Sequence, residues 1–86
     1  MIDRIKIYSD TELTHKAKLV YFYLRERAGR KSNTCFPSIK TISREVVLSE
    51  SSVKRSLNEL LERRYIAKEH RFRDNGGKSS NLYYIL

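Results

Sequence analysis

Between Thr41 and Leu57 the apolar residues Ile42, Val46, Leu48, Val53 and Leu57 stand where two crossed helices would pack, and no other stretch constrains the chain as tightly. The intervals 42–46 and 53–57 each put one apolar side chain per helical turn on a common face, and Leu48-Ser49 breaks the rhythm between them. Ser38 and Ser49 stand where N-caps are needed, since a hydroxyl there can accept a hydrogen bond from the open N–H groups of a first turn. The segment therefore reads as two short helices, over 38–46 and 49–64, separated by three or four residues and crossing through those apolar positions. The second helix continues its stripe through Leu60 and Leu61.

The flanking segments supply the rest of a domain. Thr14 can cap a helix over 14–28 that Gly29 would stop. On a helical wheel Ala17, Val20, Tyr21, Leu24 and Ala28 share one side while Leu19, Phe22 and Tyr23 occupy much of the other, so this helix is apolar nearly all round. It either runs through the middle of the domain or offers its second face to a partner. Residues 1–9, where Ile5 and Ile7 alternate with Arg4 and Lys6, read as an N-terminal arm or short strand. Arg30 to Phe36 reads as a polar loop. Residues 65–86 read as a hairpin, because Asp74-Asn75-Gly76-Gly77 is a strong turn signal between Tyr65–Arg73 and Leu82–Leu86. Three helices followed by a hairpin make a mainly α chain with a small β-hairpin, in the order of a winged helix-turn-helix with a two- or three-stranded wing sheet. One domain over 1–86 accounts for the whole length.

Charge narrows the partner. Lys and Arg number 18 against 10 Asp and Glu, a net charge of +8, and a polyanion is the natural ligand for such a surface. The longest apolar stretch, Leu19 to Leu24, is far below the roughly 20 residues of a membrane span, and the N-terminus has no signal-peptide pattern. The expectation is a cytoplasmic protein with no membrane association. Cys35 is the only cysteine, which leaves no internal disulfide and suits a small buried hydrophobe. His15 and His70 lie far apart with no further ligands nearby and read as surface residues, so no metal and no cofactor are expected. No phosphate-cradling glycine loop or activated nucleophile is present, and enzyme chemistry is not expected. The aromatic set Tyr21, Phe22, Tyr23, Phe72, Tyr83 and Tyr84 reads as core rather than as a base-stacking platform.

With Val53, Leu57 and Leu60 turned inward, the third helix would present Ser51, Arg55, Asn58 and Glu62 outward. Arg can donate two hydrogen bonds to guanine and Asn can pair bidentately with adenine. Arg55, Asn58 and Ser51 are therefore the candidate base-reading residues. Ser49, Ser52 and Lys54 near the helix start, with Lys40 and Thr41 on the second helix, are candidates for the phosphate backbone. Arg71, Arg73, Asn75 and Lys78 on the wing could reach a minor groove or flanking phosphates. Glu50 and Glu62 would repel phosphate unless they accept from cytosine or lie off the interface.

Residues Cys35-Phe36-Pro37-Ser38-Ile39-Lys40-Thr41-Ile42, Val53-Lys54-Arg55-Ser56-Leu57-Asn58-Glu59-Leu60 and Asn75-Gly76-Gly77-Lys78-Ser79-Ser80-Asn81-Leu82-Tyr83 together resemble the winged helix-turn-helix proteins of bacterial mobile elements, a group that includes N-terminal domains of phage and plasmid replication initiators. With Ala17-Lys18-Leu19-Val20-Tyr21 the resemblance spans roughly residues 10–86. It implies double-stranded DNA binding, with the third helix as reader, and a role as a transcriptional regulator or a replication or excision accessory factor. The chain departs from the pattern at Val47, where such motifs commonly carry Gly and where a β-branched residue resists positive φ. Ser43 meets the expectation of a small residue inside the second helix. Sequence-specific recognition suggests a homodimer or adjacent copies, because one domain makes few base contacts. The alternative is a protein-docking module that uses Leu19, Phe22 and Tyr23 as its partner face.

Overall fold

A computed structural model of the protein describes residues 7, 9–70 and 81–86. Helix α1 spans His15–Ser32, strand β1 Thr34–Cys35, helix α2 Ile39–Val46, helix α3 Glu50–Glu62, strand β2 Ile66–His70 and strand β3 Asn81–Ile85. The three strands form one antiparallel sheet in the order β1-β3-β2. This is a winged helix-turn-helix: three helices and a small sheet whose β2 and β3 are the limbs of the wing.

Each helix begins on a hydroxyl. Thr14, Ser38 and Ser49 have extended backbones and accept, respectively, from the N–H groups of Ala17, Thr41 and Ser52, which satisfies donors that have no partner within the helix. The predicted caps are therefore the observed ones.

The helix ends differ more from expectation. Gly29 sits at φ 73° and breaks α1 where a stop was expected, but a further helical turn follows to Ser32 before Asn33 ends the helix in the left-handed region. The third helix was expected to reach Arg64 and instead stops at Glu62. Its terminal turn returns the Tyr65 N–H to the Leu60 carbonyl at 2.9 Å and the Arg64 N–H to the Leu61 carbonyl at 3.1 Å, with Arg64 at φ 63°. That is a Schellman closure, which ordinarily uses Gly at the left-handed position. Helix α2 closes through the same outer bond, the Leu48 N–H reaching the Ser43 carbonyl at 3.1 Å; the Val47 N–H donates to that carbonyl too, and Val47 takes φ 57°, ψ 50°. Val47 therefore adopts the conformation that its β-branch disfavours, while its side chain is 84% exposed. The Ser43 hydroxyl donates to the Leu48 carbonyl and ties the turn from inside.

Two further segments depart from the sequence reading. Ile7 and Ser9 have helical backbone rather than the strand or arm expected of 1–9, and Ile7 is fully buried in the core. Thr34–Cys35, read as loop, pairs with β3 through Thr34↔Tyr84 and Cys35↔Tyr83. Two residues are too few for strand periodicity to register; the pairing comes from β3 presenting a free edge beside the α1–α2 connection.

The core joins every layer. Ala17, Val20, Tyr21, Leu24 and Ala28 from α1 meet Ile42 from α2, Val53, Leu57 and Leu60 from α3, and Ile66, Tyr83 and Ile85 from the sheet, with Cys35 and Tyr65 between them. Tyr21 and Tyr65 meet edge to face at 5.9 Å. Of the aromatic set expected in the core, Tyr21 and Tyr83 are buried, Phe22, Tyr23 and Tyr84 are half-buried, and Phe72 lies outside the described residues.

Asp10 fastens the end of α3 to the start of α1. Its carboxylate accepts from the Tyr65 hydroxyl at 2.7 Å, from the Arg63 guanidinium at 3.2 and 3.3 Å, and from the Glu12 N–H at 2.9 Å. The Tyr65 hydroxyl first, then the Glu12 N–H, holds the Asp10 carboxyl below its ordinary value of 3.8 despite opposing desolvation, with Arg63 adding to the effect.

Two predictions follow from these contacts. The left-handed conformation costs an L-residue roughly 1–2 kcal/mol, and the greater freedom of an unfolded glycine offsets about 0.5–1 kcal/mol of the relief. Val47→Gly should therefore stabilise the domain by about 0.5–1 kcal/mol and raise Tm by roughly 2–6 °C in a thermal melt. The lowered Asp10 pKa means that the folded state binds fewer protons than the unfolded chain, so its contribution is present above the ordinary carboxyl value and is lost as pH falls through the folded one. Asp10→Asn should lower the urea midpoint more at about pH 6 than at about pH 3, below the ordinary carboxyl value; an equal loss at both would show that the charge is not what fastens the contact.

Candidate nucleic-acid interface

Burial on one side decides what α3 shows on the other. Val53, Ser56, Leu57 and Leu60 are buried, the last with no exposure at all. Successive inward residues at spacings of three and four leave Ser51, Arg55, Asn58 and Glu62 on the opposite side, and all four are exposed. The three candidate base-reading residues, Arg55, Asn58 and Ser51, thus share one solvent-facing stripe on a helix fixed along its whole length. Ser56 is the one buried polar residue among those described, 1% exposed, and the periodicity of the larger apolar residues did not single it out.

The start of α3 is a closed network. The Ser49 hydroxyl accepts from the Ser52 N–H at 3.1 Å and bonds the Ser52 hydroxyl at 3.0 Å. Ser38 and Thr41 repeat the arrangement at the start of α2, at 3.1 and 2.9 Å. Ser49, Ser52 and Thr41 therefore cap and brace helix ends. Ser49 is exposed, while Ser52 and Thr41 are half-buried. Glu50 lies in the first turn of α3, where a carboxylate interacts favourably with the helix dipole; this gives it a structural reason independent of any ligand. Lys40 and Lys54 are exposed.

Two concavities border the outward stripe of α3. On one flank Thr14, His15 and Lys16 of the α1 start face Ser52, Arg55, Ser56 and Glu59 across a cleft of about 310 Å³. Glu59 builds that cleft: its carboxylate accepts from the Thr14 N–H at 3.1 Å and from the Thr14 hydroxyl at 3.0 Å, locking the first turn of α1 against α3. On the other flank Lys54, Leu57, Asn58 and Leu61 face Ile39, Lys68 and Tyr83 across a groove of about 200 Å³. Lys16 and Lys68 were not singled out from the sequence. Neither belongs to a motif, and only the packing of α1 and β2 against α3 brings them alongside it.

The wing candidates Arg71, Arg73, Asn75 and Lys78 lie outside the described residues. The strand ends leading to them are paired, with Glu69 opposite Leu82 and His70 opposite Asn81. On the second side of α1, Leu19 is 47% exposed, whereas Phe22 and Tyr23 are half-buried against the core. The Tyr23 hydroxyl accepts from Arg27, which also pairs with Glu45 of α2 at 3.3 Å. Of the three residues expected to form a docking face, Leu19 is the exposed one.

Cys35 and Tyr65 are ionisable side chains buried in the core. Burial pushes the Cys35 thiol up to about 11, and its sulfur donates to the Leu24 carbonyl. Burial, reinforced by Asp10, raises the Tyr65 phenol to about 12. Neither is activated as a nucleophile or base near neutral pH. Among the described residues no group of His, Cys, Asp or Glu could hold a metal ion, and no helix is long and apolar enough to cross a membrane.

Comparison with known proteins agrees with this geometry. A solved structure described as a "possible transcriptional regulator" from Methanosarcina mazei Go1 superimposes with a TM-score of 0.68 at 24% identity, covering 98% of this chain and 63% of the other. At that identity the likeness establishes the fold, and the chain spans less than two thirds of the length of its structural relative. No curated protein matches the chain in sequence. A family model for a helix-turn-helix domain matches residues 11–66, from before α1 to the first residue of β2. The chain belongs to that helix-turn-helix domain family.

Proposed function

We propose that the domain binds double-stranded DNA sequence-specifically, with α3 in the major groove, and acts as a transcriptional regulator. The observation that carries this reading is the outward stripe of α3, where Arg55 and Asn58 stand exposed, one turn apart, on a helix whose other face is buried. In this role Arg55 and Asn58 read bases, helped by Ser51. The exposed Lys40 and Lys54, with hydroxyls of the Ser49–Ser52 and Ser38–Thr41 networks, contact the backbone. Arg71, Arg73, Asn75 and Lys78 on the wing would add phosphate or minor-groove contacts. The net charge of +8 and the match to a helix-turn-helix family support the same partner. The relative described as a possible transcriptional regulator supports the regulatory role.

The resemblance to helix-turn-helix proteins of mobile elements extends the proposal to control of such an element, or to an accessory role in its replication or excision. A single reading helix contacts few base pairs, so we propose that the protein occupies its site as two copies on adjacent half-sites.

Binding to labelled fragments from the gene's own neighbourhood tests this reading. Arg55→Ala and Asn58→Ala should each weaken the preferred fragment by about 1–3 kcal/mol, roughly 5- to 150-fold, and leave binding to mixed-sequence DNA little changed. Equal binding of the wild type to every fragment would overturn sequence-specific recognition.

A further inference from the structure

A helix lying in the major groove has a sugar-phosphate strand on either side, so the protein surface flanking the reading helix decides how firmly both strands are held. Both flanks of α3 carry a lysine from another element. Lys16, in the first turn of α1, borders the cleft beside Arg55; Lys68, on β2, borders the groove beside Lys54 and Asn58. Both lysines are exposed, and neither forms a salt bridge among the described residues.

We propose that these flanks are a pair of backbone rails: Lys16 grips a phosphate of one strand and Lys68 a phosphate of the other, with α3 between them. The inference rests on the DNA-binding reading and adds two contact residues from outside the helix-turn-helix. The Lys16 flank is the better defined. The Thr14–Glu59 bonds hold the first turn of α1 in register with α3, so Lys16 projects from a fixed backbone position and binding requires no ordering of the main chain there. Glu59 also lines the cleft and opposes an anion, but both its oxygens already accept from Thr14, while Lys16 and Arg55 outnumber its single charge. Ser49 can donate its hydroxyl proton to Ser52, which leaves the Ser52 proton available to a phosphate oxygen. On the opposite flank Lys54 and Lys68 line the groove with no carboxylate among the described residues around it.

The test uses the whole chain and a short fluorescein-labelled duplex of mixed sequence, titrated across a salt series. For the wild type, log K should fall linearly with log salt. Lys16→Ala and Lys68→Ala should each reduce that slope by about 0.9, with affinity roughly 5- to 10-fold lower at about 0.1 M salt, and the double variant should lose about twice as much slope. Lys16→Arg keeps the charge and should restore the wild-type slope. Thermal melts should be unchanged, because both side chains are exposed. A wild type that binds with an unchanged slope in Lys16→Ala and Lys68→Ala would overturn the rails and leave the DNA-binding reading standing. A wild type that does not bind DNA at all would overturn both.

Discussion

Burying one face of a thirteen-residue helix is the constraint on which the rest of the structure depends. Val53, Ser56, Leu57 and Leu60 must leave water, and only the buried side of α1, the α2 crossing at Ile42 and the inner face of the sheet can cover them. Once they are covered, rotation of α3 about its axis is fixed, because turning it by one position would carry Arg55 and Glu59 to the places of Ser56 and Leu60, or Lys54 and Asn58 to those of Val53 and Leu57. Two polar fastenings then prevent sliding. Glu59 holds the start of α1, and Asp10 holds the segment just before it against Arg63 and Tyr65 at the end of α3. Ser56 suits this arrangement, since a small residue allows a close helix approach where a larger one would hold the elements apart.

The connections between helices achieve with backbone bonds what many related turns achieve with glycine. Both α2 and α3 end in a six-residue backbone closure whose left-handed residue carries a side chain, Val47 in one and Arg64 in the other. Val47 tolerates the conformation because the Ser43 hydroxyl and the Leu48 N–H enclose the turn around it and because its exposed side chain meets no neighbouring core. The helix crossing is thus over-determined, and local strain persists because the surrounding contacts leave the turn no alternative.

Much of this was legible from residue spacing. Helix starts were readable because Thr14, Ser38 and Ser49 act locally, through bonds to residues three positions on. The outward stripe of α3 was readable because apolar periodicity fixes the opposite face. The end of α3 was not, because a stop without Gly or Pro leaves no local mark; Arg64 looks like one more helical residue. Strand β1 was hidden because it is defined by its partner, β3. The helical backbone of Ile7 was hidden beneath an alternation of charged and apolar residues that mimics a strand. Within the candidate site, Arg55 and Asn58 came from a local pattern, whereas Lys16 and Lys68 reach the flanks of α3 only through contacts across distant parts of the chain. Function on the flanks is tertiary information, and single-sequence periodicity does not carry it.

The strand order β1-β3-β2 has a bearing on how such a domain survives as a separate particle. With β3 in the middle, β2 is left as an edge whose outer backbone groups could accept a foreign strand. Ile66 at its start is buried, but Lys68 and Glu69 farther along are exposed, and opposite charges side by side on a five-residue strand make a poor template for stacking like copies. The lysine that faces α3 therefore also discourages edge-to-edge accretion, and replacing it with an apolar residue would be felt first as reduced colloidal stability of the folded protein rather than as a change in how readily it unfolds.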